Sequence, residues 1–148
     1  MINSLGRKVA VLVIALGVIA ILLGGFFIQQ GFAKASYIRE KMAEQNITYA
    51  GAGGKIEGII DTPQEAQAMA DILTEHAKAI GNYSQMDRND PNRQTILNAM
   101  TMINSLELAV TGSGLTDVVK ATGAFMVLTG AAFILIGVPS LRKRDVVA

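Results

Sequence analysis

Two long uncharged, apolar stretches dominate the pattern of hydrophobic and polar positions along the chain. No charged residue occurs between Lys8 and Lys34, and a second uncharged stretch lies between Lys120 and Arg142. A helix needs about 20 consecutive apolar residues to cross the hydrocarbon core of a bilayer. Both stretches meet this length, so the pattern predicts two transmembrane helices.

The charges that flank these stretches predict their direction. Arg7 and Lys8 precede the first stretch, and a basic run from Arg142 to Arg144 follows the second. The residues from 34 to 120 carry 8 basic and 11 acidic side chains. Because basic residues concentrate in cytoplasmic segments, we expect a multi-pass protein of the cell (plasma) membrane with both termini in the cytoplasm.

A cleaved signal peptide is an alternative interpretation of the first stretch. Ala33-Lys34-Ala35 is a weak match to a cleavage site. However, the apolar run is longer than that of a signal peptide, and the bulky Phe26, Phe27 and Ile28 lie where small residues are expected. These features favour an uncleaved anchor.

The segment between the two stretches has a helical pattern of its own. Thr62, Pro63 and Glu65 have the types and spacing of an N-cap, a first-turn proline and a capping box. Apolar residues follow at helical spacing, with His76 among them, and Gly81 is the predicted end. Asp90-Pro91 predicts the start of a second helix, which we expect Gly112-Ser113-Gly114 to break before the second span.

The chain between the first span and Thr62 has a different pattern. The helix of the first span is predicted to continue beyond Ala33 and to stop near Asn46. Residues 47–61 contain two short β-prone stretches around Gly51, Gly53 and Gly54. This arrangement is typical of a small hairpin or an extended loop.

The predicted fold is therefore an all-α membrane protein. It has two antiparallel transmembrane helices and an extracytoplasmic helical insertion, made of two amphipathic helices plus a short loop or β-hairpin. The predicted boundaries are a cytoplasmic tail at 1–8, the first span at 9–32, the extracytoplasmic domain at 33–114, the second span at 115–139 and a cytoplasmic tail at 140–148.

Glycine recurs every seven residues in both spans. The first row is Gly17, Gly24 and Gly31, and the second is Gly123, Gly130 and Gly137. A seven-residue repeat keeps one stripe of a helix facing a partner, and small residues let two membrane helices approach closely. We expect these glycines to pack the two spans against each other or against a copy from another chain.

The composition leaves few candidates for chemistry. The chain has no cysteine and one histidine, His76, so thiolate chemistry is excluded. The apolar cores of the spans carry no ionisable side chain, which argues against proton relays and ion paths. We interpret His76 as a half-buried structural residue; a functional role would need a partner such as Asp87, Asp90 or Glu75. We expect no cofactor, no metal and no nucleic-acid partner.

One part of the chain resembles a known family. Residues 82–93 read Asn-Tyr-Ser-Gln-Met-Asp-Arg-Asn-Asp-Pro-Asn-Arg, and Ala70-Asp71-Ile72-Leu73-Thr74-Glu75-His76-Ala77 precedes them. Both runs are similar to motifs of a family of small, two-span actinobacterial membrane proteins. The resemblance implies a shared fold, with a structural signature formed by Tyr83, Asp87, Arg88, Asp90, Pro91 and Arg93. Members often carry the label of aromatic ring-opening dioxygenase, but such an iron site typically needs two histidines and a carboxylate.

These patterns predict a non-catalytic structural or accessory membrane protein. It would act through helix packing and protein contacts, as a subunit of a membrane complex or as a homo-oligomer within the lipid bilayer. The alternative is an extracytoplasmic ligand-binding or sensor module anchored by the two spans. An enzyme is not expected, since no nucleophile–base pair or metal set is visible in the sequence.

Overall fold

The computed structural model describes the backbone of residues 2–50 and 56–145, and the side chains of residues 5–48 and 58–141. Most of the described chain is helical. The predicted glycine cluster Gly51, Gly53 and Gly54 lies outside the described residues. The elements in chain order are α1 (Ile2–Glu44), β1 (Thr48–Ala50), β2 (Ile56–Ile59), α2 (Pro63–Ile80), a 3-10 turn (Tyr83–Gln85) and α3 (Asn92–Asp145).

The chain divides into two compact units. The helix-pair unit consists of residues 1–33 and 116–148, and the insertion unit consists of residues 34–115. Both α1 and α3 contribute to each unit, because each is a single long helix.

Two helices are long and apolar enough to cross a membrane. They cover Leu5–Glu44 and Asn92–Leu141. Only 11 % of the most apolar 18-residue segment of each helix is buried within the protein. A core helix of a soluble domain would hide most of such a surface, so this exposure is what a lipid-facing helix requires.

The insertion unit has a small apolar core of its own. Five buried residues form one cluster: Met42 of α1, Ile60 just before α2, Ala66 and Ala70 of α2, and Leu106 of α3. Ile60 is the largest fully buried side chain among the described residues, at 1 % exposure. The small alanines bring α2 close to its neighbours, because only a methyl group separates the helix backbone from the core.

β1 and β2 pair in antiparallel fashion, as the two strands of a hairpin do. The described part of this segment is therefore not an extended loop. Thr48 pairs with Ile59 and Tyr49 with Gly58, and the register shifts between Tyr49 and Ala50. The Ile60 N–H donates to the Ile47 carbonyl at 2.9 Å and continues the pairing by one more bond.

Local signals in the sequence define the helix ends. α1 ends at Glu44, and Asn46 has a φ of +51°, a left-handed conformation that asparagine tolerates. Thr62 caps α2 in a reciprocal capping box with Glu65. Gly81 ends α2 with a φ of +134°, which an L side chain rarely adopts.

The predicted break at Gly112-Ser113-Gly114 is wrong, because α3 runs through it without interruption. A glycine inside a helix costs about 1 kcal/mol relative to alanine, whereas ending the helix would leave several backbone groups without partners. The Ser113 hydroxyl donates to the Ala109 carbonyl at 2.9 Å, so its polar group is satisfied within the helix. Glycine and serine therefore weaken α3 here without ending it.

Candidate functional site

Glycines of α1 and α3 form a direct backbone contact in the helix-pair unit. A Cβ added at Gly17 would lie 2.7 Å from the Gly130 carbonyl oxygen, and one added at Gly130 would lie 2.5 Å from the Gly17 oxygen. The same reciprocal contact joins Gly24 and Gly123, at 2.5 and 2.6 Å. Any side chain at these four positions would force the backbones apart.

The two outer members of the rows contact partners other than glycine. A Cβ added at Gly31 would lie 3.2 Å from the Thr116 carbonyl oxygen, and one at Gly137 would lie 3.3 Å from that of Ala10. Moving seven residues forward along α1 therefore moves the contact seven residues back along α3. We call this continuous contact the glycine seam, defined by Ala10, Gly17, Gly24, Gly31, Thr116, Gly123, Gly130 and Gly137, all of which are buried.

The geometry of the seam limits what it can do chemically. Carbonyl oxygens pack against glycine Cα atoms at a spacing that leaves no room for a methyl group, so water or a substrate cannot pass between the helices there. Such close approach favours dispersion and weak Cα–H···O contacts, which hold helices together in lipid. The seam is therefore a packing surface.

Lys120 is the charged side chain next to the seam. Its Nζ lies 2.6 Å from Asp117 Oδ1 and 5.2 Å from the centroid of the Phe32 ring. Its Cγ would lie 2.5 Å from a Cβ at Gly31, so the missing side chain of Gly31 makes room for the lysine stem. Long cationic side chains commonly extend an apolar stem along a helix and a charged end toward water. The sequence analysis did not predict this contact. A signal was present, because Thr116 lies seven residues before Gly123 and about one helical turn before Lys120.

The residues of the family-like signature form a structural turn in the insertion unit. The Arg93 guanidinium stacks 4.1 Å from the Tyr83 ring centroid and donates to the Met86 carbonyl at 3.1 Å. Asp87 accepts from the Asn89 N–H at 2.9 Å, and Asp90 accepts from the Asn92 N–H at 2.8 Å. Arg88 and Pro91 are exposed. The signature therefore links the 3-10 turn to the start of α3.

His76 is exposed, so its interpretation as half-buried is wrong. The buried face of α2 runs through Ala66, Ala70 and the partly buried Ala77, which turns the His76 position toward solvent. Among the described residues, the imidazole has no hydrogen-bond or ion-pair partner, and no group of three or more potential ligands could hold a metal ion.

A cleft of about 520 Å³ opens in the insertion unit. Its apolar wall comes from α3, at Ile96, Met100 and Ile103, and its polar edge includes Lys78 of α2 and Glu107 of α3. The volume falls within the usual range of small-molecule sites. Sequence reasoning did not identify the cleft, since its shape depends on how α2 and the start of α3 pack against each other.

Comparisons with protein-family models, with curated proteins and with solved structures gave no match to this chain.

Proposed function

We propose that the chain is a structural or accessory protein of the cell membrane, which crosses the bilayer as two antiparallel helices. Both termini would lie in the cytoplasm and the insertion unit outside, because the two chain ends carry an excess of basic residues whereas residues 34–120 carry 8 basic and 11 acidic side chains. The glycine seam is the observation that carries this proposal. It uses the facing surfaces of both spans for backbone packing at Gly17, Gly24, Gly123 and Gly130.

The glycine seam also indicates where partners would bind. Because the seam is occupied within one chain, a second protein would contact the remaining faces of the spans or the insertion unit. Those faces present large apolar side chains, among them Leu22, Phe125, Leu128 and Leu135, which are between 68 and 73 % exposed. Such a surface can be covered by lipid or by another membrane protein.

Purification from native membranes tests the proposal. The full chain, tagged at one end, is extracted in mild detergent and analysed by native mass spectrometry. We expect a regular homo-oligomer or a complex with another membrane protein. A matched pair of variants tests the seam within one chain: Gly24→Leu disrupts it, whereas Gly25→Leu adds the same side chain at an exposed neighbouring position with no atom within 4 Å. A free monomer as the single species of the wild type would contradict the proposal.

The cleft of about 520 Å³ supports a second candidate, an anchored ligand-binding module. Thermal-shift screening of the full chain in detergent tests this candidate, with Met100→Trp as the variant that fills the cleft. A ligand that stabilises the wild type and not the variant would favour binding. If the two proteins responded alike to every compound, the cleft would have no role in recognition.

A further inference from the structure

Basic residues concentrate at one end of the helix-pair unit. Arg7 and Lys8 lie in the first two turns of α1, and a basic run at 142–144 lies in the last turn of α3. The sequence of this unit contains two acidic residues, Asp117 near its other end and Asp145 beside the basic run. The set of five basic residues is called the cationic end: Arg7, Lys8, Arg142, Lys143 and Arg144.

The register of the glycine seam brings the two parts of the cationic end together. A Cβ added at Gly137 would lie 3.3 Å from the Ala10 carbonyl oxygen, so these two positions are in contact. At a rise of 1.5 Å per residue, Lys8 lies roughly 3 Å beyond this contact along α1, and Arg142 roughly 7–8 Å beyond it along α3. Lys8 precedes Ala10 by two residues and Arg142 follows Gly137 by five, which is the same position of a seven-residue repeat. Lys8 and Arg142 therefore occupy equivalent stripes of the two helices.

The cations of α1 at this end have no counterion within the protein. Arg7 and Lys8 are exposed, and neither has a hydrogen-bond or ion-pair partner among the described side chains. At the opposite end, Lys120 forms an ion pair with Asp117, with 2.6 Å between Nζ and Oδ1. The cationic end has five basic residues to the single carboxylate of Asp145. An excess of positive charge therefore remains there and attracts anions.

The cationic end lies at the depth of phospholipid phosphates. The proposed spans at 9–32 and 115–139 end next to Lys8 and three residues before Arg142. Arg144 lies five residues, or roughly 7–8 Å, beyond the second span on the same continuous helix. The headgroup layer of a bilayer is about 5–7 Å thick on each side. Lipid phosphates are thus the nearest anions, whereas a soluble acidic protein would have to reach through the headgroups.

We propose that the cationic end binds anionic phospholipids such as phosphatidylglycerol through their phosphate groups, an inference that rests on the proposed membrane location. Phosphatidylcholine also carries a phosphate, but its choline group cancels the charge and weakens the attraction. Each lysine or arginine near a membrane surface strengthens the attraction to anionic lipid about fivefold. The helix pair is then surrounded by more anionic lipid at this end than at the other.

Quenching by brominated lipid tests the proposal in a bilayer of fixed composition. The chain has no cysteine, so a fluorophore can be attached uniquely at Leu12→Cys, an exposed position one turn from Lys8. Phe26→Cys, also exposed, provides a second probe in the other half of the span. The full chain is reconstituted in equal parts of phosphatidylcholine and phosphatidylglycerol, in two preparations that differ only in which lipid carries bromine. The ratio of the two quenching constants measures the local enrichment of anionic lipid.

The two probes should report different lipid surroundings. We expect quenching by phosphatidylglycerol to exceed quenching by phosphatidylcholine about fivefold or more at Leu12, and to equal it within about twofold at Phe26. Added salt should lower the ratio at Leu12, because mobile ions screen the attraction between exposed charges. This salt dependence is measured on a chain with all five basic residues in place, so it does not depend on whether a charge variant folds.

Paired substitutions separate the cationic end from the net charge of the chain. Lys8→Gln combined with Arg142→Gln should lower the ratio at Leu12 about fivefold, while the remaining basic residues still mark the cytoplasmic side. The control, Lys78→Gln combined with Arg88→Gln, removes the same charge from exposed positions of the insertion unit and should leave the ratio unchanged. Exchange of the two cations, Lys8→Arg with Arg142→Lys, should also preserve it.

The outcomes distinguish this inference from the proposal on which it rests. A ratio near one at Leu12, or the same ratio after neutralisation of Lys8 and Arg142, would overturn lipid binding and leave the membrane location intact. The cationic end would then be available to an acidic cytoplasmic protein instead. A ratio raised equally at Leu12 and Phe26 would indicate general attraction of anionic lipid and would also overturn the site. Absence of quenching by either lipid at both probes would overturn the membrane location as well.

Discussion

Adjacent glycines in α1 provide a direct test of the seam. A Cβ at Gly24 would lie 2.5 Å from the Gly123 carbonyl oxygen and 2.8 Å from Val127 Cγ2, whereas one at Gly25 meets no atom within 4 Å. Ordinary contacts between carbon and oxygen begin near 3.3 Å. The helices must therefore move apart by roughly 0.8 Å to admit alanine at position 24, a gap that removes about a quarter to a half of each nearby dispersion contact.

The magnitude follows from comparing the two variants. Gly24→Ala and Gly25→Ala gain the same helix propensity, so the difference between them isolates the steric effect. Overpacking of a tight interface costs about 1–3 kcal/mol, and we expect Gly24→Ala to be about 2 kcal/mol less stable than Gly25→Ala.

Separation of the helices can be followed by energy transfer. The chain has no cysteine, so dyes can be attached uniquely at Leu5→Cys and Ser140→Cys, both exposed positions. Titration with a denaturing detergent in mixed micelles then gives the stability of the pair as transfer is lost. Equal midpoints for the two alanine variants, or a lower midpoint for Gly25→Ala, would refute the reasoning.

Three further predictions concern contacts of smaller energy. Gly31→Ala should lower the midpoint in the same titration by less than Gly24→Ala does, because the flexible stem of Lys120 can move aside; an equal or larger loss would contradict this. Thr62→Ala removes the capping box and should destabilise α2 by about 1 kcal/mol, seen as roughly fivefold faster hydrogen exchange of its amides; unchanged exchange would exclude a stabilising cap. Arg93→Lys should speed exchange across the 3-10 turn, since lysine cannot both stack and donate as arginine does, whereas the exposed control Arg88→Lys should not.

Much of the helix pattern could be predicted from sequence because its signals are local. Long apolar runs identify the two helices, and Thr62, Glu65 and Gly81 place the ends of α2 through hydrogen bonds and dihedral angles that involve only nearby residues. The seven-residue glycine rows also indicate a packing face, since their period alone places them on one stripe.

Other features depended on contacts between distant segments. α3 continues through Gly112 and Gly114 because the free energy gained by propagating the helix exceeds the cost of the two glycines. Helix propensity alone predicted the opposite result, a break in the helix. The exposure of His76 depends on which face of α2 meets the core. The shape of the cleft depends on how α2 and the start of α3 pack against each other, which the sequence pattern of either helix does not predict.

The reciprocal contacts of the seam imply an internal symmetry. Advancing by 106 positions carries each glycine of the first row onto one of the second. The neighbours follow the same rule: Gly17 meets Ile134 as Gly123 meets Ile28, and Gly24 meets Val127 as Gly130 meets Ile21. Identical residues also recur at this offset: Val13 and Val119, Ala15 and Ala121, Leu22 and Leu128, Phe27 and Phe133, and Ile28 and Ile134.

These matches describe an inverted repeat, in which an approximate two-fold axis across the helix pair exchanges one span for the other. Each helix is then complementary to an inverted copy of itself, so one sequence pattern supplies both sides of the seam.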